Sequence, residues 1–251
     1  GPVRSVGPGG GPGTVSVPVR VVGLRWWSAG VPRSERTLPP PATVTVAPSP
    51  GFRRHMSLSF TITFDYLCPF ARNLNESVLE GLAAGADWDV AFRPFSLSQT
   101  KVDDGDLDVW ERPTGSDGTR GVLALQWGIA IREEWPDAFP TFHTDLFAAR
   151  HEQGVDLGDE AELIEVAHAA GVDGTAVADV VAGGGPRQAL RREHQDLVAG
   201  WGVFGVPTVI IGSEAVFVRS MERHRPEEIG RLLDLVSWTN LNEFKRTRIP
   251  R

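Results

Sequence analysis

The segment Phe64-Asp65-Tyr66-Leu67-Cys68-Pro69-Phe70-Ala71 decides the fold of this chain, because it joins two different hydrophobic periods. Before it, apolar and polar residues alternate from Leu58 to Phe64, which is typical of a β-strand. After it, an apolar residue recurs at every fourth position as far as Leu82, which predicts a helix that begins near Pro69. A second alternating stretch follows from Trp88 to Phe92, so these residues predict a β-α-β unit.

The rest of the chain predicts a helical block followed by a β-hairpin. No strand pattern occurs between residues 96 and 185, where the sequence predicts helices at about 119–134, 137–152, 159–170 and 174–182. Another helix is expected up to about Ala199, followed by strands at Thr208–Ile211 and Ala215–Val218 and a last helix from Pro226. This order of elements predicts an α/β protein with a thioredoxin fold and an inserted all-helical domain.

The sequence divides into five parts by composition and pattern. Residues 1–55 are rich in Gly and Pro and show no sustained period, so we expect a disordered extension and a native start at Met56. Residues 56–96 are predicted to be the first part of the thioredoxin fold, and residues 186–240 the second part. Residues 97–185 are the predicted helical insertion, and residues 241–251 are a basic tail.

Composition limits the kind of partner and the compartment. The chain has 251 residues, 41% of them apolar and 23% charged, and its net charge of −7 leaves no basic excess to bind nucleic acid. Its apolar runs fall short of the roughly 18 residues of a membrane helix, and no signal peptide is recognisable, so no membrane partner is expected. A single cysteine excludes an intramolecular disulfide and favours a cytoplasmic location.

Two segments of the chain resemble the DsbA-like thioredoxin superfamily. Residues 64–71 are similar to its active-site turn, and Val203-Phe204-Gly205-Val206-Pro207-Thr208 is similar to its cis-proline segment. That superfamily contains DsbA-type oxidoreductases, FrnE-like proteins, 2-hydroxychromene-2-carboxylate isomerases and kappa-class glutathione transferases. The resemblance implies a thiol-dependent oxidoreductase in which Pro207 is cis and lies opposite Cys68, and in which the backbone of Val206 pairs with the substrate. The residues expected to contact the substrate or thiol are Pro69, Phe70, Ala71, Arg72, Val206, Pro207 and Thr208.

Cys68 is the expected nucleophile. A cysteine in the first turn of a helix lies beside unpaired backbone N–H groups and the positive end of the helix dipole, which stabilise a thiolate. We therefore expect the pKa of Cys68 to be lowered, with help from Arg72 one turn further along the helix. The alternative for a lone cysteine is a small buried hydrophobic residue without reactivity.

The active-site motif departs from the Cys-X-X-Cys of dithiol enzymes, because Ala71 stands where the second cysteine would be. An external low-molecular-weight thiol, mycothiol or glutathione, then has to complete any disulfide exchange with a small-molecule or protein disulfide. No tightly bound cofactor is expected. An isomerase or transferase that activates a thiol cofactor and a non-enzymatic binding module remain open alternatives, and so does a homodimer.

Histidine and aromatic side chains receive no catalytic role from the sequence, with one candidate exception. His143, His151 and His168 are expected at solvated surfaces, whereas His194 is a candidate for the cleft because its helix precedes the proline segment. No metal site is expected, since no histidine pair has the i, i+4 spacing and the chain has one cysteine. Core packing explains the aromatic residues of the insertion, and the alternative is an apolar pocket above Cys68. These residues are Trp127, Trp135, Phe139, Phe142 and Phe147.

Overall fold

The computed structural model describes residues 57–116, 118–243 and 245. The predictions for residues 1–55 and for a start at Met56 lie outside the described residues, as does most of the predicted basic tail. The β-α-β unit is present as strand β1 (Leu58–Phe64), helix α1 (Pro69–Ala83) and strand β2 (Trp88–Pro94). The period of two and the period of four in this region therefore predicted the local structure correctly.

The four strands form one mixed sheet in the order β2, β1, β3, β4. Strand β2 is parallel to β1, whereas β3 (Thr208–Ile211) is antiparallel to β1 and pairs Val209 with Ile62. Strand β4 (Glu214–Phe217) completes an antiparallel hairpin with β3. Because β1 and β3 run in opposite directions, the end of β1 and the start of β3 lie at the same edge. This topology brings the segment after β1 next to the segment before β3.

Helices fill the chain between β2 and β3. They are α2 (Arg120–Glu134), α3 (Phe139–Ala148), α4 (Glu160–Ala169), α5 (Gly174–Ala182) and α6 (Gly185–Trp201), and α7 (Pro226–Val236) follows the hairpin. A short 3-10 turn precedes α2 at Gln99–Lys101. The helix predicted at 137–152 is α3 followed by a π-helical turn, Ala149–Gln153, which ends at Gly154 with φ 76°. Glycine reaches this left-handed conformation without the strain that a side chain adds.

Helix α2 is the central helix of the helical block. Its residues are buried without interruption from Gly121 to Ile131, because α3, α5 and α6 all pack against it. The core-packing prediction is confirmed for four of the five aromatic residues, since Trp127, Phe142 and Phe147 are fully buried and Phe139 nearly so. Trp135 is half-buried and packs against the edge of the core.

Helices α1 and α7 pack against each other and against the sheet, α1 on β1 and α7 on β3 and β4. This packing fixes the start of α1 relative to the hairpin. In the described part of the chain, no helix is long and apolar enough to cross a membrane.

Candidate active site

Cys68 is the N-cap residue of α1. Pro69 is the first helical residue, where the absence of an N–H group costs no helical hydrogen bond, and Cys68 keeps an extended backbone with φ −100° and ψ 114°. The Cys68 sulfur accepts a hydrogen bond from the backbone N–H of Ala71 at 3.5 Å. Capping is usually the role of Ser, Thr, Asp or Asn, and here it places the sulfur at the positive end of the helix dipole.

Asp65 holds the turn that leads to Cys68. Its fully buried carboxylate accepts hydrogen bonds from the backbone N–H of Leu67 at 2.9 Å and from that of Leu97 at 2.7 Å. Its carbonyl oxygen accepts from the N–H of Cys68 at 2.9 Å. Burial raises the pKa of Asp65 to about 6, although both backbone hydrogen bonds oppose that rise. Asp65 therefore ties the Cys68 turn to the loop after β2.

The proline segment before β3 contains a cis peptide bond between Val206 and Pro207. Thr208 fixes this segment with two hydrogen bonds of 2.8 Å. Its N–H donates to the hydroxyl oxygen of Thr63, and its own hydroxyl donates to the carbonyl oxygen of Gly205. Since Thr63 belongs to β1, the strand that leads to Cys68 also positions the proline segment.

Cys68 and Val206 are in direct contact. The Cys68 thiol donates a hydrogen bond to the carbonyl oxygen of Val206, with the sulfur and oxygen 3.4 Å apart. Only 7% of the surface of Cys68 is exposed, compared with 3% for Val206. The sulfur is therefore nearly closed to solvent, and the carbonyl of Val206 covers part of it.

The prediction of a lowered pKa for Cys68 is wrong. Burial is the largest influence, and it raises the pKa of the thiol above its ordinary value of 9.0. The negative charge of Asp65 raises this pKa further, whereas the N–H groups of Ala71 and Phe70 and the charge of Arg219 lower it. The helix terminus acts in the predicted direction, but removing the thiolate from water costs more than these groups return.

Arg72 does not support the thiol in the way that the sequence suggested. Its guanidinium is buried, donates to Glu76 at 2.8 Å and also pairs with Glu152 on the π-helical turn. Glu76 is itself 2% exposed and accepts from Arg223 at 2.6 Å. The cation that lowers the pKa of Cys68 is Arg219 instead. Arg72 therefore belongs to an ion network that joins α1 to the helical block and to the loop before α7.

Arg219 is a cation near the thiol that the sequence did not indicate. It follows β4 and is exposed, and its guanidinium carbon lies 4.8 Å from the ring centre of Phe70. Phe70 is half-buried in the first turn of α1, and an arginine above an aromatic ring is a favourable cation–π arrangement. Within the residues that the structure describes, Arg219 makes no ion pair with an acidic side chain.

The prediction of solvated histidines is wrong for His143 and His151, whereas His168 is exposed as expected. His143 is fully buried and bonds the hydroxyl of Tyr66 at 2.9 Å and the amide oxygen of Asn75 at 3.1 Å. Burial lowers the pKa of His143 to about 3, so the ring stays neutral. His151 on the π-helical turn is half-buried and bonds the carbonyl oxygen of Tyr66 at 2.9 Å. Both histidines connect the helical block to the Cys68 turn.

His194 is buried beside the loop after β2. Its Nδ1 accepts a hydrogen bond from the backbone N–H of Ser96 at 3.2 Å, and its ring stacks on Phe95 with centroids 4.3 Å apart. Burial lowers the pKa of His194 to about 4. Its ring contacts and hydrogen bond within the described chain do not reach Cys68, so His194 positions the loop that also binds Asp65.

The structure brings most of the sequence-selected site residues to one edge of the sheet. Ala71 donates a hydrogen bond to the sulfur of Cys68, and Val206 accepts one from it. Phe70 is in contact with Arg219. Arg72 pairs with Glu76, and His194 accepts a hydrogen bond from Ser96. The remaining selected residues are exposed Pro69 and buried Pro207 and Thr208. Across residues 57–116, 118–243 and 245, no group of three or more His, Cys, Asp or Glu residues is arranged to hold a metal ion.

The sequence matches the model of a known protein family over a range that includes every residue of this site. The family model described as the DSBA-like thioredoxin domain matches residues 61–225, well over half of the chain. The chain belongs to the DSBA-like thioredoxin domain family. Cys68 is the one cysteine of this DSBA-like chain, and it lies within the matched residues. A comparison with curated protein sequences found no significant match.

Solved structures share the fold of this DSBA-like chain at low identity. A putative protein disulfide isomerase from Nitrosomonas europaea is 16% identical, with a TM-score of 0.51 over 70% of this chain and 96% of that one. The cytosolic disulfide reductase DsbM from Pseudomonas aeruginosa, solved with GSH, is 13% identical, with a TM-score of 0.52 over 71% and 98%. Oxidised BdbD from Bacillus subtilis is 14% identical, with a TM-score of 0.51 over 73% and 89%. These likenesses show the shared thioredoxin fold.

Three residues of the DSBA-like site received no role from the sequence. Asp65 could have been found, because an Asp that bonds the N–H two residues further on is a common turn motif. Thr63 was hidden by its place among the polar residues of an alternating strand, although it is fully buried. Arg219 carries no local signal, since it reaches Phe70 only through the pairing of β1 with the hairpin.

Proposed function

We propose that this protein is a monothiol oxidoreductase. Cys68 exchanges disulfides with a small-molecule or protein substrate, and an external low-molecular-weight thiol completes the cycle. The observation that carries the proposal is the position of the Cys68 sulfur, at the N-terminus of α1 and 3.4 Å from the carbonyl oxygen that precedes cis Pro207. Membership of the DSBA-like family supports the same reaction class.

The proposed cycle consists of two thiol–disulfide exchanges. The Cys68 thiolate first attacks one sulfur of the substrate disulfide, forms a bond to it and releases the other sulfur as a thiolate. The external thiolate then attacks the substrate sulfur of this mixed disulfide, which breaks the bond to Cys68 and leaves a new disulfide outside the protein. Ala71 has no thiol for an internal second step, so the external thiol is a required co-reactant.

Substrate binding would help Cys68 to lose its proton, because it would remove a contact that holds the thiol in its neutral form. In the resting site burial raises the pKa of Cys68. The thiol also donates a hydrogen bond to the carbonyl oxygen of Val206, and this contact exists only in the neutral thiol. A backbone N–H of an extended substrate would occupy that carbonyl and leave the sulfur with its donor from Ala71. Val206 then binds the substrate, exposed Pro69 and half-buried Phe70 lie beside the sulfur on α1, and Pro207 and Thr208 hold the carbonyl of Val206 in place.

Glutathione and mycothiol are the proposed co-substrates, and the cytoplasm is the proposed compartment. The DsbM structure from Pseudomonas aeruginosa is described as a complex with GSH, which supports a thiol tripeptide as one candidate at this fold. The cytoplasm maintains a reduced thiol pool, which the second exchange needs, and the single cysteine of this chain suits such a compartment.

A thiol-cofactor-dependent isomerase or transferase is the second candidate. The observation that favours it is the hydrogen bond from the Cys68 thiol to Val206 together with the raised pKa of that thiol. A neutral thiol can donate a hydrogen bond to the sulfur of a bound cofactor, which stabilises the cofactor thiolate without attack on it. A binding module without catalysis would also keep Cys68 neutral.

The experiment that tests the proposal follows the conversion of a glutathionylated peptide and free glutathione into the peptide thiol and glutathione disulfide. The wild-type protein should catalyse this exchange, and Cys68→Ser and Cys68→Ala should both abolish it. Absence of exchange by the wild type, with isomerase or transferase activity that Cys68→Ser retains, would support the second candidate. Absence of both activities would leave a binding module.

A further inference from the structure

Arg219 places an available positive charge at the entrance to the sulfur. Its side chain is exposed, and its guanidinium lies 4.8 Å from the ring centre of Phe70, two residues after Cys68. Burial raises the pKa of Cys68, and the charge of Arg219 is one of the smaller influences that oppose this rise. In the described residues no carboxylate is paired with it, in contrast to Arg72 and Arg223, which share Glu76 and Glu152.

The positive charge of Arg219 is opposite in sign to the net charge of the chain and to the charge of Asp65. The chain carries a net charge of −7, and Asp65 adds a negative charge close to the thiol. An anionic molecule would therefore be repelled from most of the protein and from the base of the site. Arg219 offsets this repulsion, because it lies over Phe70 in the first turn of α1 and its charge opposes that of Asp65 at the thiol. The contact with the ring of Phe70 holds the guanidinium beside the first turn of α1, and this reduces the entropy that binding a ligand would cost.

We propose that Arg219 binds a carboxylate of the small thiol or disulfide that reacts at Cys68, so that the preferred co-substrate is an anionic thiol. This inference rests on the proposed function and specifies its co-substrate. Glutathione has free carboxylates and fits this chemistry. Mycothiol does not, because the carboxyl group of its cysteine is part of an amide. A guanidinium suits the task, since its planar fork of donors matches a carboxylate.

Alkylation of Cys68 tests the inference independently of disulfide exchange. Iodoacetate and iodoacetamide react with the same thiolate and differ in the charge of the reagent, so their rate ratio reports the local field. A change in the pKa of Cys68 alters both rates by the same factor and leaves the ratio unchanged. The urea-unfolded chain gives the ratio without a local field, and we expect the wild-type ratio of anionic to neutral reagent to be no lower than this reference at low salt.

Three variants locate the effect. Arg219→Gln should lower the ratio about fivefold, whereas Arg219→Lys keeps the charge and should retain most of it. Arg231→Gln removes another exposed arginine, on α7, and should leave the ratio at the wild-type value. Added salt should reduce the wild-type ratio toward that of Arg219→Gln, because it screens exposed charges.

The outcomes separate this inference from the proposed function. An equal ratio in wild type and Arg219→Gln would overturn the role of Arg219, even if Cys68 catalyses disulfide exchange. Failure of both reagents to alkylate the folded protein would also overturn it, since the sulfur would then be closed to small anions. A ratio that depends on Arg219 would uphold the anion site, even if the peptide assay finds no exchange.

Discussion

The hydroxyl oxygen of Thr63 accepts a hydrogen bond of 2.8 Å from the backbone N–H of Thr208. Thr63 lies near the end of β1, and Thr208 directly follows the cis peptide bond of Val206 and Pro207. Both residues are buried, so water does not replace this contact. One buried side chain thus sets the distance between the strand that leads to Cys68 and the segment whose carbonyl binds the thiol.

Thr63→Val should destabilise the protein and loosen the proline segment. Valine has nearly the same shape but no acceptor, so the buried N–H of Thr208 would lose its partner, at a cost of about 1–3 kcal/mol in the free energy of unfolding. Urea titration measures this change. The matched control is Thr61→Val on the same strand, where a half-buried hydroxyl has no hydrogen bond to a described residue. Equal stabilities of the two variants would contradict the role given to Thr63.

His143→Gln should flatten the dependence of stability on pH. The pKa of His143 is about 3 in the folded protein and 6.5 for an ordinary histidine, so the unfolded chain binds a proton that the folded chain does not. The stabilisation from the neutral ring is complete above pH 6.5 and is lost as the pH falls toward about 3, with a slope of about 1.4 kcal/mol per pH unit.

Urea titrations at several pH values between 7 and 4, the range in which an ordinary histidine takes up its proton, measure this slope. Glutamine can still bond Tyr66 and Asn75 but does not titrate in this range. His168→Gln replaces an exposed histidine and should leave the wild-type slope unchanged. A wild-type slope in His143→Gln would show that the ring does not remain neutral in the folded protein.

Glu76→Gln should destabilise the protein much more than Glu152→Gln. Glu76 and Arg72 are both buried, and loss of the Glu76 charge would leave the Arg72 guanidinium poorly compensated, at a cost on the order of 3 kcal/mol. Glu152 is half-exposed, so water can replace its contact with Arg72. Thermal unfolding of the two variants compares these effects, and similar melting temperatures would be inconsistent with a buried ion network.

The pKa of Cys68 should lie above 9.0 in the folded protein without substrate. The reason is that burial disfavours the thiolate more than Ala71, Phe70 and Arg219 stabilise it. The pH dependence of the iodoacetamide reaction measures this value, and the urea-unfolded chain supplies the reference for an unperturbed cysteine. A folded-state pKa below that reference would mean that the helix terminus outweighs burial.

The sequence was sufficient for the fold because local periodicity and chain order both point to it. The alternation in β1, the fourfold period of α1 and the turn at Cys68 and Pro69 are short-range features, and the structure reproduces them. The π-helical turn at Ala149–Gln153 was not predictable, since its residues continue the helical pattern of α3 and differ in backbone geometry alone.

The site was predictable as a set of segments but not in its electrostatics. The sequence identified Cys68 and Val206, and the structure shows their contact. The sign of the pKa shift at Cys68 depends on burial by distant elements, which a helix-terminus argument does not contain. The same limitation explains the buried His143, whose environment combines α1, α3 and the Cys68 turn.

The measurement that tests the central claim most directly is the intact mass of the reduced protein after exposure to glutathione disulfide. The account predicts one glutathionyl group per chain, attached to Cys68, absent in Cys68→Ser, and removed again by free glutathione. An unmodified wild-type protein under conditions that modify its urea-unfolded chain would contradict the claim that Cys68 is the reacting thiol of a monothiol cycle.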